Sequence, residues 1–304
     1  MIFAAIDIGS NAVRLMFANA LGSEKAIRIE KATLIRIPIR LGKDVYKNNT
    51  ISKTRATNLI KTLKAFKLLI DVYKPESYVA CATAAMREAT NGPEILNKIK
   101  KETGIKIKLI DGLEEAEIIR STNNIGSFIN KNLTMYVDLG GGSTEISVIS
   151  KTNFIDANSF KIGTLRILSK KVDKNSWDEL ADWLQRFKAD FGKINIIGSG
   201  GNINKLAKLY GKAGENEISF QNLEKAYKHL KSFTLHERIE DMGLRPDRAD
   251  VIVPAAKVFL FIAKTVKAET IMVPKIGLAD GLIYKLYQEY IFGKNARPSK
   301  SKGI

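Results

Sequence analysis

Asp7 and Asp138 stand at the same point of two similar segments, AAIDIGSNAVRLMFA at residues 4–18 and MYVDLGGGSTEISVI at residues 135–149. In each, an apolar run ends in an aspartate, a cluster of small residues follows, and a second alternating run begins. Gly9 aligns with Gly140, and the flanking apolar positions stay in phase. Gly9 permits a tight turn, with Ser10 and Asn11 as short side chains at its tip. Gly140, Gly141 and Gly142, followed by Ser143, let successive backbone N–H groups converge on phosphate oxygens. Two acidic strand ends facing two donor-rich tips would hold a phosphate group and a divalent cation. Mg²⁺ suits such a place, because it takes few protein carboxylates and keeps several waters. The segments therefore read as an internal repeat of a phosphate-handling hairpin.

Three further pieces have chemistry within reach. Glu114 and Glu115 begin a helical segment, where adjacent residues diverge by about 100° and only one can face a cleft. A carboxylate there could serve as base for an attacking water; two acids at a helix N-terminus are also simply favourable with its dipole. Arg87, in CATAAMREA after a buried strand, could clamp phosphate bidentately or make a surface ion pair. Gly198, Gly200 and Gly201 separate a strand from the helix NINKLAKLY, an anion-binding arrangement. His229 and His236 lie in helical patterns without metal-ligand partners.

The elements that must position these residues alternate between strand and helix, which predicts an α/β architecture. Strands are expected over Ile2–Asp7, Val13–Asn19, Ala26–Ile39, Val79–Ala82 and Ile105–Ile110. Ser52 is a plausible N-cap for a helix with Leu59, Leu63, Phe66, Ile70 and Tyr73 at helical spacing, and Gly104 should stop a helix over Pro93–Thr103. LEEAEIIR is expected to begin the helix joining two halves. The second half repeats the plan, with a hairpin at 133–149 and a strand at Asn195–Ile197. Helices follow at about 219–232, 234–241 and 246–267, then a strand at Thr270–Val273 and a terminal helix at 279–292. The halves should pack across a cleft.

The 304 residues are enough for a substantial core and two domains. A net charge of +17 is the unusual bulk property. It reads either as attraction to a polyanion or as lysine-rich helix faces in water. The most apolar stretch, Val251–Val266, is interrupted by Pro254, Lys257 and Lys264, so no membrane span is expected. The N-terminus carries no leader pattern. Cys81, the single cysteine, excludes an intrachain disulfide and suits a reducing cytoplasm. The basic tail, Gly293–Ile304, is expected to be disordered.

Taken together, AIDIGSNAVRL, ATAAMREATNG, IDGLEEAEIIR, VDLGGGSTEI, IGTLRI, GSGGNINKLA, LRPDRADVIVPAA and IGLADG resemble the motifs of the exopolyphosphatase/guanosine pentaphosphate phosphohydrolase (Ppx/GppA) family, in order and over nearly the whole chain. The resemblance implies two ribonuclease H-like domains of the actin/Hsp70/sugar-kinase superfold with an inter-domain cleft. It divides the chain into residues 1–113, with a C-terminal helix of about 279–304 packing back on them, and a second domain at 114–278. It implies Glu115 as the group that activates or orients water, Asp138 as Mg²⁺ (or Mn²⁺) ligand with Asp7 through water, and Ser10, Asn11, Arg87 and Gly140–Ser143 as contacts to the terminal phosphate. Gly198, Gly200 and Gly201 would line the nucleotide or polyphosphate cleft.

The implied substrates are inorganic polyphosphate or guanosine pentaphosphate, and family members are often homodimers. Two departures stand out: Ala279 takes a place where the family often has arginine, and longer members continue into an additional helical region. A kinase of the same superfold and a non-catalytic polyphosphate or alarmone sensor are the alternatives. Nucleic acid is not expected as a partner, because basic and aromatic residues are not interleaved.

Overall fold

The computed structural model describes residues 1–23, 27–122, 133–150, 153–191 and 194–295. The chain begins β1 (Ile2–Ile8), β2 (Val13–Leu21), β3 (Arg28–Ile37), α1 (Leu41–Asn48), α2 (Lys53–Tyr73), β4 (Ser77–Ala82), α3 (Ala84–Glu88), α4 (Gly92–Thr103), β5 (Lys108–Leu109) and α5 (Gly112–Arg120). It continues β6 (Leu133–Leu139), β7 (Thr144–Ser150), β8 (Asn153–Phe160), α6 (Thr164–Leu168), α7 (Lys174–Phe191), β9 (Ile194–Ser199), α8 (Gly201–Tyr210), β10 (Glu217–Ser219) and α9 (Phe220–Ser232). The last elements are α10 (Leu235–Glu240), α11 (Pro246–Ala249), α12 (Ile252–Thr265), β11 (Thr270–Met272) and α13 (Leu278–Asn295).

One sheet has the order β3-β2-β1-β4-β5, and the other β8-β7-β6-β9-β11 with β10 added at the edge. In both, the first three strands form an antiparallel meander, and the first strand pairs in parallel with the next strand to arrive. The same order twice is the expected pair of ribonuclease H-like units, here called lobe one and lobe two.

Central strands covered on both faces must be apolar throughout, and only their ends can carry polar groups toward a ligand. In β1, Ala4, Ile6 and Ile8 enter the core under α1 and α2, while Phe3 and Ala5 pack with Leu282, Ile283 and Tyr287 of α13. Asp7 continues this second face at the strand's carboxyl end. In β6, Leu133, Met135, Val137 and Leu139 face the core of lobe two, and Thr134, Tyr136 and Asp138 take the other face. Both aspartates thus emerge where α/β sheets characteristically present ligand sites.

Ser52 caps α2 by accepting from the Arg55 N–H, and Gly104 ends α4 at φ 72°. Asp111 caps α5, its carboxylate accepting from the Glu114 N–H at 2.8 Å. Some boundaries depart from the sequence pattern. The strand expected over Ile105–Ile110 shortens to an edge strand that pairs only where Cys81 and Ala82 face Lys108 and Leu109. The helix expected at 246–267 is two, α11 and α12, because Pro254 lacks an N–H and fits only the first turn of a helix. α13 packs on β1, β2 and β4 of lobe one and on α5. Residues 296–304, which complete the expected C-terminal helix and tail, lie outside the described residues, as does Ala26.

Candidate active site

The carboxyl ends of β1 and β6 meet around a cavity of ≈ 340 Å³. Asp7, Ser10 and Asn11 line it from lobe one. Asp138 and the run Gly140–Ser143 line it from lobe two, with Gly200 and Gly201 at the start of α8. The hairpins close with the same bond: the Gly9 N–H donates to the Ala12 carbonyl at 3.1 Å, and the Gly140 N–H to the Ser143 carbonyl at 3.0 Å.

The tips are locked together. Ser10 Oγ and the Tyr46 hydroxyl lie 2.7 Å apart. A Cβ on Gly142 would overlap that hydroxyl, so only glycine fits there. Arg166 Nε donates to the Gly142 carbonyl at 2.8 Å, and its Nη2 reaches both Glu88 oxygens at 2.7 and 2.8 Å. Its guanidinium also lies 4.2 Å above the Tyr46 ring. One arginine from α6 therefore ties the glycine-rich tip of lobe two to α1 and α3 of lobe one.

The first turn of α5 directs Glu115 into the cavity, where it is 9% exposed, and leaves Glu114 outside, paired with Lys108 at 2.5 Å. Glu115 meets Asp138 and Glu145, which face each other across the β6–β7 ladder. Carboxylate oxygens of the three lie within 4.8 Å of one another. Burial, and then the charges of Glu145, Asp138 and Asp7, hold the Glu115 carboxyl well above the usual carboxylate range. Burial is also the first cause pushing Glu145 up to about 7, with Asp138 adding to it and hydrogen bonds from Ser143 and Ser159 opposing it. Burial raises Asp138, while its bond with Ser199 pulls it back. Three hard oxygen donors that repel one another fit a hard divalent cation.

Asp7 lies outside this cluster of three. Its partner across the β1–β2 ladder is Arg14, and the two form an ion pair at 2.5 Å. Arg87 is exposed, donates Nη1 to the Ile110 carbonyl at 2.5 Å and is not part of the cavity wall; its charge still opposes the upward shifts of Glu115 and Glu145. Gly198 sits inside β9, against Ile203, Ile271 and Phe259, and likewise does not line the cavity. Sequence reasoning did not single out Glu145, Arg14, Arg36 or Arg248, and it met Arg166 only as the arginine of the Gly-x-x-Arg motif in IGTLRI, with no role assigned. The signal for the first two was present, since positions 14 and 145 align in the repeat with opposite charge.

A family model described as the Ppx/GppA phosphatase family matches residues 33–290. The chain belongs to this family. Among similar proteins, a bifunctional 3-dehydroquinate synthase/phosphatase of Fusobacterium nucleatum is 30% identical over 82% of this chain and 41% of its own length. Exopolyphosphatase 1 of Mycobacterium leprae is 25% identical, over 94% of this chain and 89% of its own. A guanosine-5′-triphosphate,3′-diphosphate pyrophosphatase of Photobacterium profundum is 24% identical, over 94% and 59%. The chain thus spans less than two thirds of the first and third of these relatives. The crystal structure of an exopolyphosphatase from Cytophaga hutchinsonii superposes with a TM-score of 0.82 at 22% identity, covering 95% of this chain and 98% of that one. A Ppx/GppA family member from Aquifex aeolicus gives 0.72 at 24%, with 95% and 98% covered. The Ppx/GppA fold is therefore that of the whole described chain, and a phosphatase is the expected enzyme class. Among the described residues, no helix is long and apolar enough to cross a membrane.

Proposed function

We propose that this Ppx/GppA protein releases terminal orthophosphate from inorganic polyphosphate or guanosine pentaphosphate. The observation that carries the reading is the buried cluster of Glu115, Asp138 and Glu145, set in one cavity wall with the glycine-rich tip 140–143. Hydrolysis of a phosphoanhydride depends on positioning, charge neutralisation and an aligned water. The Gly140–Ser143 amides, Ser10 and Asn11 would hold the terminal phosphate, with Arg87 approaching as the lobes close. Asp138 and Glu145 would hold Mg²⁺ or Mn²⁺, with Asp7 reached through water, and the ion would neutralise phosphate charge. Glu115 would orient the water and accept its proton; a carboxylate raised toward neutrality is a better base than an ordinary one.

We divide the chain at 113/114, with α13 belonging to the first part, and assign closure of the cavity to motion between the parts. The family resemblance supports a homodimer, and the buried thiol of Cys81 a reducing cytoplasm.

Phosphate release from short polyphosphate, long polyphosphate and guanosine pentaphosphate, with Mg²⁺, tests the reading beside Glu115→Gln. Turnover should fall roughly 10²–10⁴-fold in the variant while binding persists. Absence of phosphate release by the wild type on every substrate would refute the hydrolase and leave the sensor or the kinase.

A further inference from the structure

The tip of lobe one is not held by lobe one alone. The chain passes behind Ser10 and Asn11 on its way from β3 to α1, and two of its amides face the tip. The Arg40 N–H donates to the Asn11 carbonyl and the Gly42 N–H to the Ser10 carbonyl, both at 2.9 Å. Between these bonds the chain turns at residue 40, which takes φ 60° and ψ 45°. That left-handed region is crowded for any residue with a Cβ, and glycine is its usual occupant. Arginine stands there instead.

The side chain gives the reason. Arg40 Nη2 reaches into lobe two and donates to Asp250 Oδ2 at 2.6 Å, the two side chains being 16% and 23% exposed. Asp250 ends α11, and the next residue, Val251, is fully buried in the apolar cluster of lobe one that holds Leu41 and Val45. Beside this joint, Asn11 Nδ2 donates to the Asp247 carbonyl at 3.3 Å. Arg36, which lines the cavity together with Arg248, pairs with the Asp247 carboxylate at 2.6 Å. Lobe two has a cation of its own near Asp250, Arg238, but the carbonyls of Leu230, Ala249 and Phe233 already hold that guanidinium. Asp250 is thus left to serve Arg40. A disfavoured backbone conformation persists where its surroundings over-determine it, and at residue 40 those surroundings come from both lobes. Parting the lobes would strip the guanidinium of its carboxylate and leave the left-handed backbone with less to hold it.

We infer that Asp250 and Arg40 are positioning residues: through this ion pair lobe two sets the shape of the lobe-one tip, and Ser10 and Asn11 are ready for a phosphate only while the lobes are docked. That the tip receives phosphate rests on the function proposed above; the lock itself does not.

The test compares Asp250→Ala, Arg40→Ala, Arg40→Gly and the double variant Asp250→Ala/Arg40→Gly, each shown to be folded by thermal unfolding. Hydrogen exchange at the amides of residues 40 and 42 reads the lock without any ligand. In Asp250→Ala these amides should exchange about tenfold faster, the scale of one charge-assisted hydrogen bond, while amides inside α2 keep their rates. The dissociation constant of inorganic phosphate should rise by a similar factor, and on any substrate turned over KM should rise far more than kcat. Arg40→Ala should behave like Asp250→Ala. Glycine adopts φ 60° without steric cost, so Arg40→Gly should bind phosphate more tightly than Arg40→Ala, and adding it to Asp250→Ala should restore most of the lost affinity. That rescue separates positioning from lost packing, because glycine removes more of the side chain than alanine does. Unchanged exchange in Asp250→Ala, or glycine no better than alanine at position 40, would overturn the inference. Faster exchange with phosphate affinity unchanged would sustain the lock and refute only the assignment of Ser10 and Asn11 to phosphate.

Discussion

Replacing Glu145 with glutamine is expected to stabilise the metal-free protein at neutral pH while removing its activity. The Glu145 carboxyl is 2% exposed, and burial with the neighbouring Asp138 charge lifts it from an ordinary 4.5 to about 7. Because the folded value lies above the unfolded one, the stability this group contributes is fully present below pH 4.5 and is lost as pH rises through about 7. The loss amounts to about 3 kcal/mol. A glutamine has no such loss, and its carbonyl oxygen can still accept the Ser159 hydroxyl, which donates to Glu145 Oε1 at 2.8 Å. In EDTA the variant should match the wild type near pH 4.5. It should then gain steadily and melt roughly 5 °C higher above pH 7, as expected for a chain of this size. Scanning calorimetry from pH 5 to 8 reads this directly. Millimolar Mg²⁺ should raise the melting temperature of the wild type and leave the variant nearly unmoved. An offset independent of pH, or a variant less stable than the wild type at pH 8, would refute the claim that burying the Glu145 charge, with Asp138 beside it, destabilises the metal-free protein.

Other substitutions probe the supports of the site. Gly112→Ala places a Cβ against the Ser159 side chain and 3.2 Å from Glu145 Oε1. It should cost about 1–3 kcal/mol in urea unfolding, as overpacking does, and lower phosphate release by shifting the turn that carries Glu115. Arg166→Met leaves the Glu88 carboxylate and the Gly142 carbonyl without their shared donor. A loss of about 2–4 kcal/mol in the same assay is expected from a largely buried pair, together with a higher KM as the glycine-rich tip loosens. Stripping divalent cations with EDTA should abolish phosphate release, and adding back Mg²⁺ or Mn²⁺ should restore it; full activity in EDTA would exclude a cation at the acidic cluster.

The parts of this molecule legible in the sequence are those fixed by local rules. The two hairpins, the Ser52 cap, the glycine stop at 104 and the apolar strands around Asp7 and Asp138 follow from turn chemistry and periodicity alone. The helix α1 escaped notice because it is eight residues long and begins after Arg40 in a left-handed conformation, φ 60°, which no glycine announced. The break between α11 and α12 was announced by Pro254, which the apolar run around it obscured. The site was half legible. Glu115 belongs to a helix whose phase could be counted, and the structure turns it inward. Arg36 and Arg248 come from β3 and α11, more than two hundred residues apart in sequence, and only the closing of lobe two on lobe one brings them to one wall. Gly198 shows the opposite error: a glycine in a Gly-rich turn that serves packing between β9, β11 and α12 and leaves the cavity to Gly200 and Gly201.

The division of labour within the cavity follows from one position in the repeat. Both hairpins have the same turn, the same register and an aspartate two residues before the closing glycine. The residue opposite that aspartate is Arg14 in lobe one and Glu145 in lobe two. An arginine there pairs with Asp7 and adds guanidinium surface to the wall, so lobe one would reach a cation only through water and presents positive charge to an anion. A glutamate there sets a second carboxyl beside Asp138, and with Glu115 arriving from α5 the three could hold a divalent ion. Duplicating a hairpin produces two equivalent tips, and reversing one charge makes them unequal. A phosphate bound as proposed would meet amide donors from one tip, a carboxylate cluster beside them and Arg14 from the other hairpin. A symmetrical pair of Asp–Arg hairpins would bind phosphate but offer no place for the cation, and a symmetrical pair of Asp–Glu hairpins would repel it.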